Sequence, residues 1–258
     1  MASWRTEARD DSGTYDLGGR RAIVTGAGRG IGAAVARLLM DRGAAVCVVD
    51  RSMSQLEPWG NAPVARVAED LSAVPSACRV VEAAERELGG VDVLVHAAGV
   101  LKRTPFFEVD VENWELHLRT NLRSTFFLTQ ACARVMRRQG TGGRIVALAS
   151  DAWWTGGYDG SLAYAASKGG VVTLVRGIAR ELAPLRITVN AIVPGLVDTE
   201  MLRSQLSPDA LARQTAAIPW ERPADPSEIA RVVGFVVSDA AEYMTGAVFN
   251  VSGGLLTY

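Results

Sequence analysis

The chain has 258 residues, 48% of them hydrophobic and 21% charged, with a formal net charge of −1. That supply of apolar residues fills the core of one large α/β domain or two small ones and excludes a disordered or fibrous class. Positive charge is scattered rather than clustered, which leaves no footprint for nucleic acid or an acidic membrane surface, so a small-molecule substrate is the expectation.

The opening stretch "MASWRTEARDDSGTYDLGG" is polar and holds no apolar run. It predicts a loose N-terminal arm over 1–18, and neither a signal peptide nor a membrane anchor. Cys47, Cys78 and Cys132 are widely spaced in apolar segments and read as reduced core residues of a cytoplasmic protein. His96 and His117 have no ligand-like neighbours at useful spacing, which argues against a metal site.

From residue 20 onward, short runs rich in Val, Ile and Ala alternate with helical patterns. The strand candidates are "RAIVTG", "AAVCVVD", "VARVAED", "VDVLVHAAG", "GRIVALAS", "ITVNAIVPG" and "AVFNVSGG". This alternation predicts a Rossmann-type, doubly wound sheet of seven parallel strands with helices on both faces. No linker or repeat divides residues 19–258, which read as one domain. The long connection over 196–222 follows the sixth strand's carboxyl end, where open α/β sheets bind ligands, and reads as a substrate lid.

"TGAGRGIG" runs from the first strand into an amphipathic helix. Gly26, Gly28, Gly30 and Gly32 allow a tight turn and leave the first helical amides, with Ile31 among them, free to face a pyrophosphate. Asp50 closes the next strand at the spacing expected of a carboxylate that accepts hydrogen bonds from a ribose. Its charge would repel a 2′-phosphate, so NAD(H) is favoured. Arg29 and Arg51 can both reach toward a phosphate, which keeps NADP(H) open.

The sequence holds 25 arginines and only two lysines, yet one of the lysines stands in "YAASK". Tyr164 and Lys168 are four residues apart at the start of a helical stretch and share a face. A phenol near pH ~10 must shift by roughly 3 units to act as a base near neutrality, and a cation at ~4 Å with an effective dielectric of ~20 supplies about that much. An ammonium on a flexible stem can sit beside a phenol and still bond ribose hydroxyls, where a planar guanidinium must be matched on several edges.

Taken in order, "TGAGRGIG", "HAAG", Asn121 in "RTNLRSTF", Ser150 ending "IVALAS", "YAASK", "PGLVDT" and "TGAVFNVSGG" resemble the short-chain dehydrogenase/reductase family from Gly19 through Gly254. The resemblance implies that Tyr164 is the general acid/base and that Lys168 lowers its pKa while holding the nicotinamide ribose. It further implies that Ser150 bonds the reacting oxygen and Asn121 helps pass protons toward solvent. Asp70 and Leu71 match the place that holds adenine, Ala97 and Gly99 the adenosine side, and Pro194, Val197 and Thr199 the nicotinamide amide and diphosphate. A homotetramer or homodimer is also implied, through helices carrying Phe126 to Met136 and Val171 to Leu182. The family commonly has two asparagines where this chain has His96 and Ala97, and His96 reads as a core histidine.

Trp153, Trp154 and Tyr158 follow the serine, and Trp220 ends the lid, which suggests a bulky, cyclic or aromatic substrate. Asp151 and Asp159 read as solvated or capping loop carboxylates. The reading is thus an NAD(H)-dependent oxidoreductase interconverting a secondary alcohol and a ketone. Its rivals are a 3-oxoacyl-carrier-protein-type ketoreductase using NADPH, docking its carrier near Arg137, Arg138 and Arg180, and a noncatalytic dinucleotide-binding sensor.

Overall fold

The computed structural model describes residues 15–257. Its seven strands are β1 (Arg21–Thr25), β2 (Ala45–Asp50), β3 (Ala65–Ala68), β4 (Val93–His96), β5 (Gly143–Leu148), β6 (Ile187–Pro194) and β7 (Val248–Val251). Each coincides with one of the apolar runs in the sequence. The helices are α1 (Gly30–Asp41), α2 (Met53–Leu56), α3 (Val74–Leu88), α4 (Val111–His117), α5 (Ser124–Gln139), α6 (Ala152–Thr155), α7 (Leu162–Leu182), α8 (Glu200–Gln205), α9 (Pro208–Ala216) and α10 (Pro226–Val236). A π-helical turn, Leu118–Arg123, joins α4 to α5.

All strand pairings are parallel, in the order β3-β2-β1-β4-β5-β6-β7. Residues along β4, β5 and β6 are buried on both faces, which explains why these strands are continuous apolar runs rather than alternating ones. One face packs on α3, α5 and α7 through Val80, Leu128, Cys132, Val171 and Val175. The other packs on α1 and α10 through Val35, Leu39, Ile229 and Val233. Strand order reverses between β1 and β4, opening a crevice beyond their carboxyl ends.

Two expectations change at this level. Of the arm expected over 1–18, residues 1–14 lie outside the described residues, but Leu17 is buried and its N–H donates to the Arg42 carbonyl at 2.9 Å. The end of that stretch therefore belongs to the fold, held by an apolar anchor. Cys47 and Cys132 are core residues as expected, whereas Cys78 is exposed because it lies on the solvent side of α3. Among the described residues no helix is long and apolar enough to cross a membrane.

The connection over 196–222 is an excursion pinned at its base. Val197 bridges Ala224, the Asp198 N–H donates to the Ala224 carbonyl at 2.8 Å, and the Ala224 N–H donates to Leu196 at 2.9 Å. Between these ties α8 and α9 lie over the crevice.

Candidate active site

The turn after β1 is built for close approach. Gly26 has φ +63°, and a Cβ there would sit 2.9 Å from the Ala98 nitrogen. A Cβ on Gly28 would meet the Gln55 carbonyl oxygen at 2.5 Å, and one on Gly32 the Gly26 carbonyl oxygen at 2.1 Å. Arg29 enters α1 in extended conformation and gives the helix no side-chain cap, leaving its first amides uncapped where anions bind. Asp50 accepts from the Gly28 N–H at 2.9 Å and from the Arg51 N–H at 2.8 Å, which fixes its carboxylate at the edge of the same turn.

These residues open onto a cleft of about 830 Å³. Gly26, Arg29, Gly30, Ile31, Gly32, Asp50, Arg51, Asp70, Leu71, Ala97, Gly99, Pro194, Val197 and Thr199 all line it, as the sequence places them. Thr199 has a second task, since its hydroxyl caps α8 by accepting from the Leu202 N–H at 3.4 Å. Arg29 turns away from Asp50 and pairs with Glu200 at 2.6 Å, joining the glycine turn to α8. A glycine floor, uncapped helix amides and a carboxylate at the strand end fit a dinucleotide: backbone donors for the diphosphate, an acceptor for the ribose.

Tyr164 and Lys168 stand on one face of α7 and both line the cleft, with Ser150 at the end of β5 opposite. The Lys168 Nζ lies 5.7 Å from the centre of the Tyr164 ring and donates to the Leu148 carbonyl at 2.6 Å. Asn121 sits in the π-helical turn, a distortion that often marks functional positions. Its Oδ1 accepts from the Val100 N–H at 2.8 Å, and its Nδ2 donates to the Val100 carbonyl at 3.0 Å and the Ser167 hydroxyl at 2.9 Å. A Cβ on Gly99 would lie 3.3 Å from the Asn121 Oδ1 and 3.5 Å from the Lys168 Nζ, so that glycine keeps the space between them open.

Burial dominates the titration of the pair. It pushes the Tyr164 phenol up to about 12 and the Lys168 ammonium down to about 8. The groups lowering Tyr164 are the Ser150 hydroxyl and the charge of Arg103, while Asp151 raises it. The Ser150 hydroxyl itself donates to Asp151 Oδ1 at 2.9 Å, so its proton is aimed at a carboxylate. Burial raises the pKa of that carboxyl. His96 is buried, lowered to about 3 by desolvation and bonded to the Ser124 hydroxyl at 3.0 Å, in keeping with a core histidine.

At the substrate end, Tyr158 lines the cleft but Trp153, Trp154 and Trp220 are not among its lining residues. Trp153 turns onto the core under Arg176, whose guanidinium lies 5.6 Å from its ring. Trp154 is 56% exposed and Trp220 67% exposed, with Arg222 over the latter ring. The apolar wall is instead aliphatic: Leu101, Leu116, Met201, Leu202 and Leu255. Asp151 and Asp159 also line the cleft, and Asp159 Oδ2 accepts from Gln214 of α9 at 3.0 Å, so neither is merely a solvated loop carboxylate. Sequence reasoning missed Arg103. Its signal was positional: it lies in the loop leaving the carboxyl end of β4, where open α/β sheets place ligand contacts.

Comparison with known proteins places this geometry among dehydrogenases and reductases. Residues 26–256 match a family model described as Enoyl-(Acyl carrier protein) reductase. The chain is 36% identical over 243 residues to the 3-oxoacyl-(acyl-carrier-protein) reductase FabG of Vibrio cholerae, covering 93% of this chain and 98% of the relative. It is 36% identical over 240 residues to the FabG of Escherichia coli, covering 92% and 97%. Among solved structures, a short-chain type dehydrogenase/reductase from Mycobacterium marinum superposes with a TM-score of 0.91 at 30% identity, covering 95% of this chain and 99% of that one.

Proposed function

Because the chain belongs to the short-chain dehydrogenase/reductase family, and is thus an NAD(P)-dependent oxidoreductase acting on CH–OH groups, we propose that it interconverts a bulky secondary alcohol and its ketone with NAD(H). The observation that carries this reading is the convergence of the glycine turn, Asp50, Ser150, Tyr164 and Lys168 on one cleft. Residues 19–258 act as one domain, with 196–222 as its lid.

Asp50 supports the preference for NAD(H), since its carboxylate stands at the ribose edge of the turn and repels a 2′-phosphate. Of the two arginines that could reach a phosphate, Arg29 pairs with Glu200, while Arg51 lines the cleft beside Asp50. When bound, the nicotinamide dinucleotide supplies the hydride-accepting or hydride-donating ring. Gly26, Gly30, Ile31 and Gly32 hold its diphosphate side, Asp50, Asp70 and Leu71 its adenosine side, and Pro194, Val197 and Thr199 its amide side.

In the oxidative direction the Tyr164 phenolate takes the proton of the substrate hydroxyl, and in the reductive direction the phenol returns it. Ser150 orients the reacting oxygen by turning its hydroxyl from Asp151 toward it, which stabilises developing alkoxide charge. Lys168 holds ribose hydroxyls beneath the phenol. Asn121 positions Val100 and α7 through its three hydrogen bonds and keeps a proton path beside Lys168. The aliphatic wall and Tyr158 take the body of the substrate.

The named activity of the curated relatives favours a second reading, reduction of 3-oxoacyl chains on an acyl carrier protein. Following nicotinamide absorbance with a panel of cyclic and polyol alcohols and a 3-oxoacyl thioester, each with NAD and NADP, separates the two. Alcohol oxidation at least about tenfold faster with NAD is expected; thioester reduction with NADPH alone would overturn the proposal in favour of the carrier reading.

A further inference from the structure

Arg103 is a half-buried cation facing the cleft with no contact ion pair among the described residues. It stands on a segment fastened to the loop after α6: the Thr104 N–H donates to the Gly160 carbonyl at 2.9 Å, and a Cβ on Gly160 would lie 2.8 Å from the Thr104 carbonyl oxygen. Its backbone N–H donates to Gln205 of the lid at 3.3 Å. The hydrogen bonds of its guanidinium both run from Nη1, to the Tyr158 carbonyl at 2.6 Å and the Asp159 carbonyl at 3.1 Å. Nε is buried and has no partner among the described residues.

The charges of Asp159 and Asp151 act on Arg103, but Asp151 accepts from the Ser150 hydroxyl and Asp159 from Gln214, and neither forms a contact ion pair with it. A half-buried guanidinium with an edge that the protein leaves unbonded can be completed by an anion, and a planar carboxylate matches such an edge. Arg103 and Tyr164 line the same cleft, and the charge of Arg103 favours the phenolate.

We infer that Arg103 receives a carboxylate borne by the substrate within this cleft, which makes the substrate a hydroxy acid and the product the matching oxo acid. This rests on the oxidoreductase reading above and narrows it. The carbinol carbon gives a hydride to the oxidised nicotinamide, its hydroxyl gives a proton to Tyr164, and a carbonyl forms; the carboxylate is unchanged. An acyl thioester, neutral around its reacting carbonyl, leaves Arg103 unpaired.

The test is calorimetric titration of NAD-loaded enzyme with cyclohexanecarboxylate and with its methyl ester. Wild type is expected to bind the carboxylate about tenfold or more tightly than Arg103→Gln does, with Arg103→Lys between them and ester binding insensitive to either change. Wild type binding carboxylate and ester alike, or failing to bind the carboxylate, would overturn the inference. So would equal losses for both probes in Arg103→Gln, which would mark Arg103 as only a brace for the 157–160 loop. Tyr164→Phe keeps the two levels apart: it is expected to bind carboxylate normally while losing turnover, and retained turnover there would sink the acid/base role proposed for Tyr164 and leave the carboxylate site standing.

Discussion

Burial moves Tyr164 and Lys168 in opposite directions, the phenol up to about 12 and the ammonium down to about 8, disfavouring the charged form of each. The charges flanking the phenol become the tuning elements, and their signs are opposed: Asp151 disfavours phenolate and Arg103 favours it. Replacing Asp151 with Asn removes a negative charge while keeping an acceptor for Ser150. Phenolate then forms at lower pH, so the rising limb of alcohol oxidation against pH is expected to move to lower pH than in wild type. An unmoved limb in a full pH profile would show that Asp151 does not act on Tyr164. Tyr164 and Lys168 were legible as neighbours because helix periodicity puts residues at that spacing on one face, Asp50 by its spacing from the glycine turn, and Ser150 only through the family resemblance. Arg103, Asp151 and the tryptophans were not, because the facing of loop side chains depends on long-range pairings such as Thr104 with Gly160.

Among elements, the strands were the most readable, since a parallel strand buried on both faces must be a short apolar run. The π-helical turn that carries Asn121 was not, as nothing in "LRTNLR" distinguishes it from the α-helix on either side. The glycine turn was legible as a motif, but its reason is steric and appears only in three dimensions: Gly32 passes against the Gly26 carbonyl with no room for a methyl group. Gly32→Ala is accordingly expected to destabilise the fold by roughly 1–3 kcal/mol and to lower Tm by several degrees. Thermal unfolding checks this, and an unchanged Tm would mean the turn can relax without cost. The long connection over 196–222 was recognisable from its length and place, and the bridge at its base between Val197 and Ala224 explains how it is held beside the cleft.

At the scale of the molecule, seven parallel strands reverse order once, and the ends of β1 to β6, with the start of α7, bring the lining of the cleft to the same edge. The proposed chemistry rests on that placement: the glycine turn on one side, Tyr164 and Ser150 on the other, and an aliphatic wall with Arg103 beyond them. Among the large apolar residues left exposed, Phe106, Phe107, Val111 and Trp114 stand around the start of α4, while Tyr158 and Met201 line the cleft. The most direct test of hydride transfer through this cleft is a single turnover with a secondary alcohol deuterated at its carbinol carbon, followed by mass analysis of the nicotinamide. The expected result is deuterium on the cofactor in wild type and a rate about 10²-fold to 10⁴-fold lower in Tyr164→Phe. Cofactor reduction without deuterium transfer, or an unchanged rate in Tyr164→Phe, would contradict the assignment of the site.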